Sequence, residues 1–212
     1  GPSQEALNTK GSIYKTTDSG VTWEELSTGL LPGLQVSGIF VNPDDSDEIL
    51  ILTQSHDHIY GEGFITEVFL YEQFGPMKSI DGGKTWTALA GNLPSPYRNP
   101  FGGHVAPQNF DHFLVEPFLF GDEFPDDVEQ KSFYTLDGGM TFLQTPVYII
   151  AGAYDPHDPL GEHIVGYSPW SALGDVLESR DGGATWEALT APEEVDNVHI
   201  LISSFVWDPN EQ

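Results

Sequence analysis

The stretch Ser79-Ile-Asp-Gly-Gly-Lys-Thr-Trp86 sets a carboxylate, an ammonium group and a hydroxyl beside two glycines. Those are the makings of an acidic ligand loop, with Asp81 and Lys84 as its working groups. His56-Asp57-His58, followed by Tyr60, offers a second chemistry. On an extended strand the two imidazoles share one face, half of a metal site that His104, His112 and nearby carboxylates could complete. No ligand set of familiar spacing accompanies them, so polar loop histidines are the plainer reading. Leu93 to His104 is rich in turns and aromatics; Tyr97, Arg98 and Phe101, with Phe64 and Trp170, could stack on sugar rings or bury a peptide. The alternative is a loop packed on itself over the end of the domain. Gly121-Asp-Glu-Phe-Pro-Asp126-Asp127 could hold Ca²⁺ through its carboxylates, or simply be a solvated acidic loop. Ca²⁺ is thus a candidate ion, and no other cofactor follows from these patterns.

Self-similarity decides how Ser79 to Trp86 should be read. The pattern [ST]-x-D-[SG]-G-x-T-[WF] occurs four times: Thr16 to Trp23, Ser79 to Trp86, Thr135 to Phe142 and Ser179 to Trp186. Each copy lies between two short extended runs, the order of a β-hairpin. Gly20, Gly83, Gly139 and Gly183 admit the positive φ that such a turn needs. Asp18, Asp81, Asp137 and Asp181 can accept hydrogen bonds from the turn's own backbone. Trp23, Trp86, Phe142 and Trp186 are expected to anchor each turn on the core. Lys84 is replaced by Val21, Met140 and Ala184 at the matching positions, which makes it solvent decoration. Asp81 is therefore expected to be scaffold.

A second motif alternates with the first. Ile39 to Pro43, Phe113 to Pro117, Gly152 to Pro156 and Phe205 to Pro209 each read as an apolar strand ending on [NED]-P. Proline cannot donate to a ladder, so it marks the strand's end. Together the two motifs resemble the Asp-box (BNR) repeat of β-propellers, found in sialidases, xyloglucanase-type glycosidases, sortilin-like receptors and photosystem assembly factors. The resemblance covers nearly the whole chain. It implies an all-β propeller of four-stranded antiparallel blades, strands A (innermost) to D, with the box as the C–D turn. It also implies that A–B and C–D turns share one face and that ligands bind on the other. The length insertions, 54–75, 90–112, 118–131 and 166–174, are expected on that ligand face.

Successive box aspartates are 63, 56 and 44 residues apart, so the first two intervals carry insertions. Residues 1–10 read as a tag scar or N-terminal extension that could supply a strand, and 11–212 as the propeller domain. The repeat opens at a C strand and closes on an A strand. Either the last strand completes the first blade in a closed four-bladed ring, or the chain is part of a larger propeller completed by another chain or domain.

With 33 acidic against 7 basic residues the formal charge is −26. Such a surface repels nucleic acid and anionic membranes and suits cations, a basic protein or a neutral sugar. The absence of cysteine excludes disulfides, thiolate metal sites and cysteine nucleophiles. No apolar run is long enough to insert in a membrane. The opening Gly1-Pro2-Ser3 resembles a protease scar or processed end, so a secretory signal would already be gone. An extracellular, cell-surface or periplasmic site is expected.

The resemblance also ranks activities. A sialidase holds its substrate's carboxylate with three arginines, and this chain has only Arg98 and Arg180. Xyloglucanase-like enzymes pair two seven-bladed propellers, far more chain than 212 residues, and need two carboxylates about 6.5–9.5 Å apart. Asp57, Glu62, Asp111 and Asp122 are candidates, but among 33 acids each is uninformative. A noncatalytic recognition or scaffold propeller, binding a protein or a carbohydrate, is the expected function. A fragment of an inverting glycoside hydrolase is the alternative.

Overall fold

A computed structural model describes residues 12–26, 30, 34–55, 75–89, 91–94, 100–117, 131–168, 171 and 176–189. Every regular element among them is a β-strand. The chain divides into two compact units, Gly1–Ala90 with Pro94–Phe101, and Gly91–Leu93 with Gly102–Gln212.

In the first unit β1 (Tyr14–Lys15) and β2 (Glu24–Glu25) form a two-stranded sheet, and β3 (Leu34–Val41), β4 (Ile49–Ser55), β5 (Gly75–Ser79) and β6 (Thr87–Ala88) form a four-stranded one. All neighbours are antiparallel and sequential, so each sheet is a meander. β4, the apolar run Ile49-Leu-Ile-Leu52, is buried on both faces. Ile49 and Ile51 pack with Ile13, Leu26, Leu30 and Leu34, and Trp86 and Met77 lie against that cluster. The core thus lies between the two sheets. Burial of each such side chain contributes about 1.5–3 kcal/mol.

The second unit holds two four-stranded meanders. One consists of β7 (Pro100–Val105), β8 (Phe113–Pro117), β9 (Phe133–Thr135) and β10 (Leu143–Gln144). The other consists of β11 (Ala151–Tyr154), β12 (Ile164–Tyr167), β13 (Val176–Ser179) and β14 (Glu187–Ala188). Leu114 and Tyr134 of one sheet pack with Ile149, Tyr154, Ile164, Leu177 and Trp186 beside or within the other. Phe113 and Phe142 meet edge to face, with ring centroids 5.9 Å apart.

Three expectations need correction. Phe113 to Pro117 is the second strand of its sheet, not the first. The first is β7, inside the segment 90–112 expected to be a loop, and its turn begins at Ala106-Pro107. Pro107 is therefore the counterpart of Pro43 and Pro156. Trp23 is no core anchor: it is 61% exposed, against 6% for Trp186 and 3% for Phe142. Phe205 to Pro209 and residues 1–10 lie outside the described residues.

Candidate functional site

The four repeat turns share one hydrogen-bond scheme. In the second, the Ser79 hydroxyl donates to Asp81 Oδ1 at 2.8 Å and accepts from the Gly83 amide at 2.8 Å. The Thr85 amide donates to the same Oδ1 at 2.9 Å and the Thr85 hydroxyl to Oδ2 at 2.6 Å. Thr16, Asp18, Gly20 and Thr22 repeat this pattern, as do the Thr135 and Ser179 turns. Gly20, Gly83, Gly139 and Gly183 all have φ between 87° and 108°. Hydrogen bonds from Thr22 hold the Asp18 carboxyl at about 2, and those from Thr85 hold Asp81 at about 2. At Asp137 and Asp181 burial works upward, but the bonds from Thr141 and Thr185 outweigh it and both carboxyls are lowered. Each carboxylate accepts three hydrogen bonds from its own turn. Lys84 is exposed.

These turns also fix the two ends of each four-stranded sheet. The amides of Gly82, Gly138 and Gly182 donate to the carbonyls of Asp47, Asp111 and Glu162, at 2.9, 3.0 and 2.9 Å. Those carbonyls belong to the turns joining the first two strands of the same sheets. First-to-second and third-to-fourth turns therefore lie together, and the remaining connections leave from the opposite end. His112 sits in a turn on the stitched end, its Nδ1 3.1 Å from the Gly161 carbonyl. It does not join a site with His104.

Of the residues expected to stack on or contact a ligand, His104 is the one whose side chain falls among the described residues. It lies on β7, 29% exposed, with Nε2 2.8 Å from Glu116 Oε1 on β8. The Gly152 amide of β11 donates to the same Nε2 at 2.9 Å. Glu116 is buried, and glycine makes its position possible. A Cβ on Gly102 would stand 2.7 Å from Glu116 Oε2, and one on Gly152 would stand 3.3 Å from His104 Cδ2. Burial, and next the Glu116 charge, push the Tyr148 phenol above its ordinary range. A single nitrogen cannot donate to Glu116 and accept from Gly152 at once, so the proton's position selects which bond forms. Nε2 is engaged on either account, and Nδ1 has no hydrogen-bond partner among the described residues. A carboxylate that orients an imidazole while its other nitrogen stays open is the geometry of a hydrogen-bonding anchor or of a general base.

Sequence reasoning missed Glu116, taking it for the acid of a strand-ending pair. The signal was Gly102-Gly103 just before His104, since glycine inside a strand marks a close approach. His56, His58, Tyr60, Phe64, Tyr97, Arg98 and Trp170 lie outside the described residues, as does the acidic loop at 121–127; Phe101 is placed on β7 by its backbone alone. Among the described residues no three His, Asp or Glu side chains form a metal-holding group.

No protein-family model matches the sequence, and no curated protein matches it. Solved structures do. An ancestral GH74 enzyme is similar with a TM-score of 0.56 at 18% identity, over 89% of this chain and 22% of its own. The GH74 xyloglucanase from Xanthomonas campestris gives 0.57 at 16% identity, over 87% and 27%. The GH74 enzyme from Niastella koreensis gives 0.51 at 17%, over 86% and 27%. The fold is that of a β-propeller built from four-stranded antiparallel blades, and the chain spans about a quarter of the length of each of these proteins.

Proposed function

We infer that the chain is an Asp-box propeller domain, or part of one, that recognises a carbohydrate or a protein without catalysing a reaction. Four turns with one hydrogen-bond scheme support the Asp-box reading. The ligand is taken through the loops opposite those turns, with the His104–Glu116 pair as inner contact. The observation that carries this is His104, partly exposed and oriented by a buried carboxylate, with Nδ1 unengaged among the described residues. The charge of −26 favours a neutral sugar or a basic protein and a place outside the cytoplasm. The ring is closed by the chain's own last strand or completed by another chain or domain.

Calorimetry with neutral β-glucan oligosaccharides and with lysine-rich peptides tests the reading. Saturable binding to one class, weakened at least tenfold by His104→Ala and without release of reducing sugar, is expected. Release of reducing sugar that a carboxylate substitution abolishes would establish the alternative, part of an inverting glycoside hydrolase. Binding to neither class would overturn recognition.

A further inference from the structure

His163 stands between two acids. Its Nδ1 lies 3.0 Å from Asp155 Oδ2, just past β11, and its Nε2 lies 2.8 Å from Glu178 Oε1 on β13. The side chains of His163, Asp155 and Glu178 are mostly shielded, 17, 20 and 19% exposed. Arg180 also pairs with Glu178, and the His157 ring stands 3.5 Å from Asp155 Oδ1. Asp158 Oδ2 accepts the amides of Glu162 and His163, at 2.6 and 2.8 Å.

The same three positions carry a different chemistry in the second blade. The amides of Asn42, Ala106 and Asp155 donate to the carbonyls of Glu48, His112 and His163, at 3.0, 2.9 and 3.0 Å. On the facing strands Lys78 stands opposite Leu50, Tyr134 opposite Leu114 and Glu178 opposite Val165. Asn42-Glu48-Lys78 and Asp155-His163-Glu178 are therefore equivalent sets. In the second blade Glu48 accepts from the Asn42 amide and from Lys78, two donors on one acceptor. In the fourth, two acceptors flank the centre, which has to donate twice. A neutral imidazole has one N–H and one bare nitrogen, so it serves one carboxylate; the imidazolium serves both. Burial works upward on the Asp155 carboxyl, but the His157 amide and the bond and charge of His163 outweigh it and hold it below its ordinary value.

We propose that Asp155, His163 and Glu178 form a proton-dependent clasp across the fourth blade. It is closed when the imidazole carries both protons and loses one arm when it carries one. A histidine changes charge between about pH 5 and 8. The bound proton's contribution to stability is present on the acid side and lost as pH rises. The clasp secures the stitched end of the blade, since Glu162, next to His163, offers its carbonyl to Gly182. The adjoining turn also meets the third blade, where Asn109 Nδ2 donates to Leu160 O at 3.0 Å and His112 Nδ1 to Gly161 O at 3.1 Å. Acid thus tightens this end of the fourth blade. The clasp does not depend on the His104 reading.

Asp155→Asn tests it by copying Asn42. The new amide can donate to a bare Nδ1, while its oxygen still accepts from the His157 amide as Asp155 Oδ1 does at 2.8 Å. From about pH 5 to 8 the wild-type melting temperature is expected to fall by about 2–4 °C more than that of Asp155→Asn. Parallel profiles overturn the proposal. Nitrogen-15 spectra of the wild-type ring need no variant: two hydrogen-bonded N–H signals from His163 are expected at the acid end and one at the alkaline end. Two signals at both ends, or fewer than two at the acid end, also overturn it.

Discussion

Trp86 of the second blade donates its indole Nε1 to the Leu26 carbonyl of the first at 3.0 Å. Gly83, three residues earlier, backs onto the same leucine, where an added Cβ would come within 2.6 Å of Leu26 Cδ1. One turn thus closes its own hairpin and carries the seam to the preceding blade.

Gly83→Ala and Gly20→Ala separate those two roles. Both glycines have φ near 90°, so both substitutions strain the backbone, by about 1–2 kcal/mol. At Gly20 the nearest atom to the new methyl is Trp23 Cζ2 at 3.8 Å, and strain is the whole cost. At Gly83 overpacking against Leu26 adds about 1–3 kcal/mol. Urea unfolding should rank the variants in that order, and equal midpoints would show that the seam yields freely.

Asp181→Ala removes the acceptor for the Thr185 amide and the Thr185 and Ser179 hydroxyls. A loss of about 1–2 kcal/mol is expected, as for other side-chain bonds that close a turn or cap. Affinity for whichever sugar or peptide the wild type takes should stay unchanged. An equally stable Asp181→Ala protein that no longer binds would move the turn from scaffold to site.

Stability should depend on acid in a defined window. Asp18 and Asp81 are held at about 2, below the ordinary 3.8, and Asp137 and Asp181 are lowered too. A carboxyl lowered by folding contributes fully above its ordinary value and loses that contribution as pH falls through the folded one. Protonation of other acids between neutrality and about pH 4 relieves self-repulsion in a chain of charge −26. The melting temperature should therefore hold or rise down to about pH 4 and fall towards pH 2. A variant with alanine at all four aspartates should melt lower and show a shallower acid fall; a parallel fall would locate the acid sensitivity elsewhere.

Glu116→Leu should change which His104 nitrogen carries the proton. An ionised Glu116 draws the proton to Nε2 through a charge-assisted bond. Without the carboxylate, Nε2 is left to accept from Gly152 and the proton belongs on Nδ1. Nitrogen-15 chemical shifts of the ring distinguish the two tautomers. An unchanged tautomer would show that Gly152 governs the ring.

The repeat was legible because its chemistry is local. Asp81, its serine, its threonine and its glycine lie within seven residues, and the same bonds form wherever they recur. Pro43 and Pro156 marked their turns for the same reason. β7 was illegible because Pro-Phe-Gly-Gly-His-Val lacks the apolar alternation of a strand, and Gly102 answers to Glu116 on β8, which sequence spacing does not reveal. Trp23 was misread because repeat position specifies its pose but not what lies over it. The His104–Glu116 pair falls in the same class, a contact between strands whose register no local pattern declares.

The bonds from Gly82, Gly138 and Gly182 to the neighbouring turns give each complete blade one sewn end and one free end. An insertion at the sewn end would have to part an amide from its carbonyl in every case. Fusion sites for reporters, permuted termini or grafted recognition sequences therefore belong on the free end, and the spacing of 63, 56 and 44 residues between turns marks where the chain has already grown.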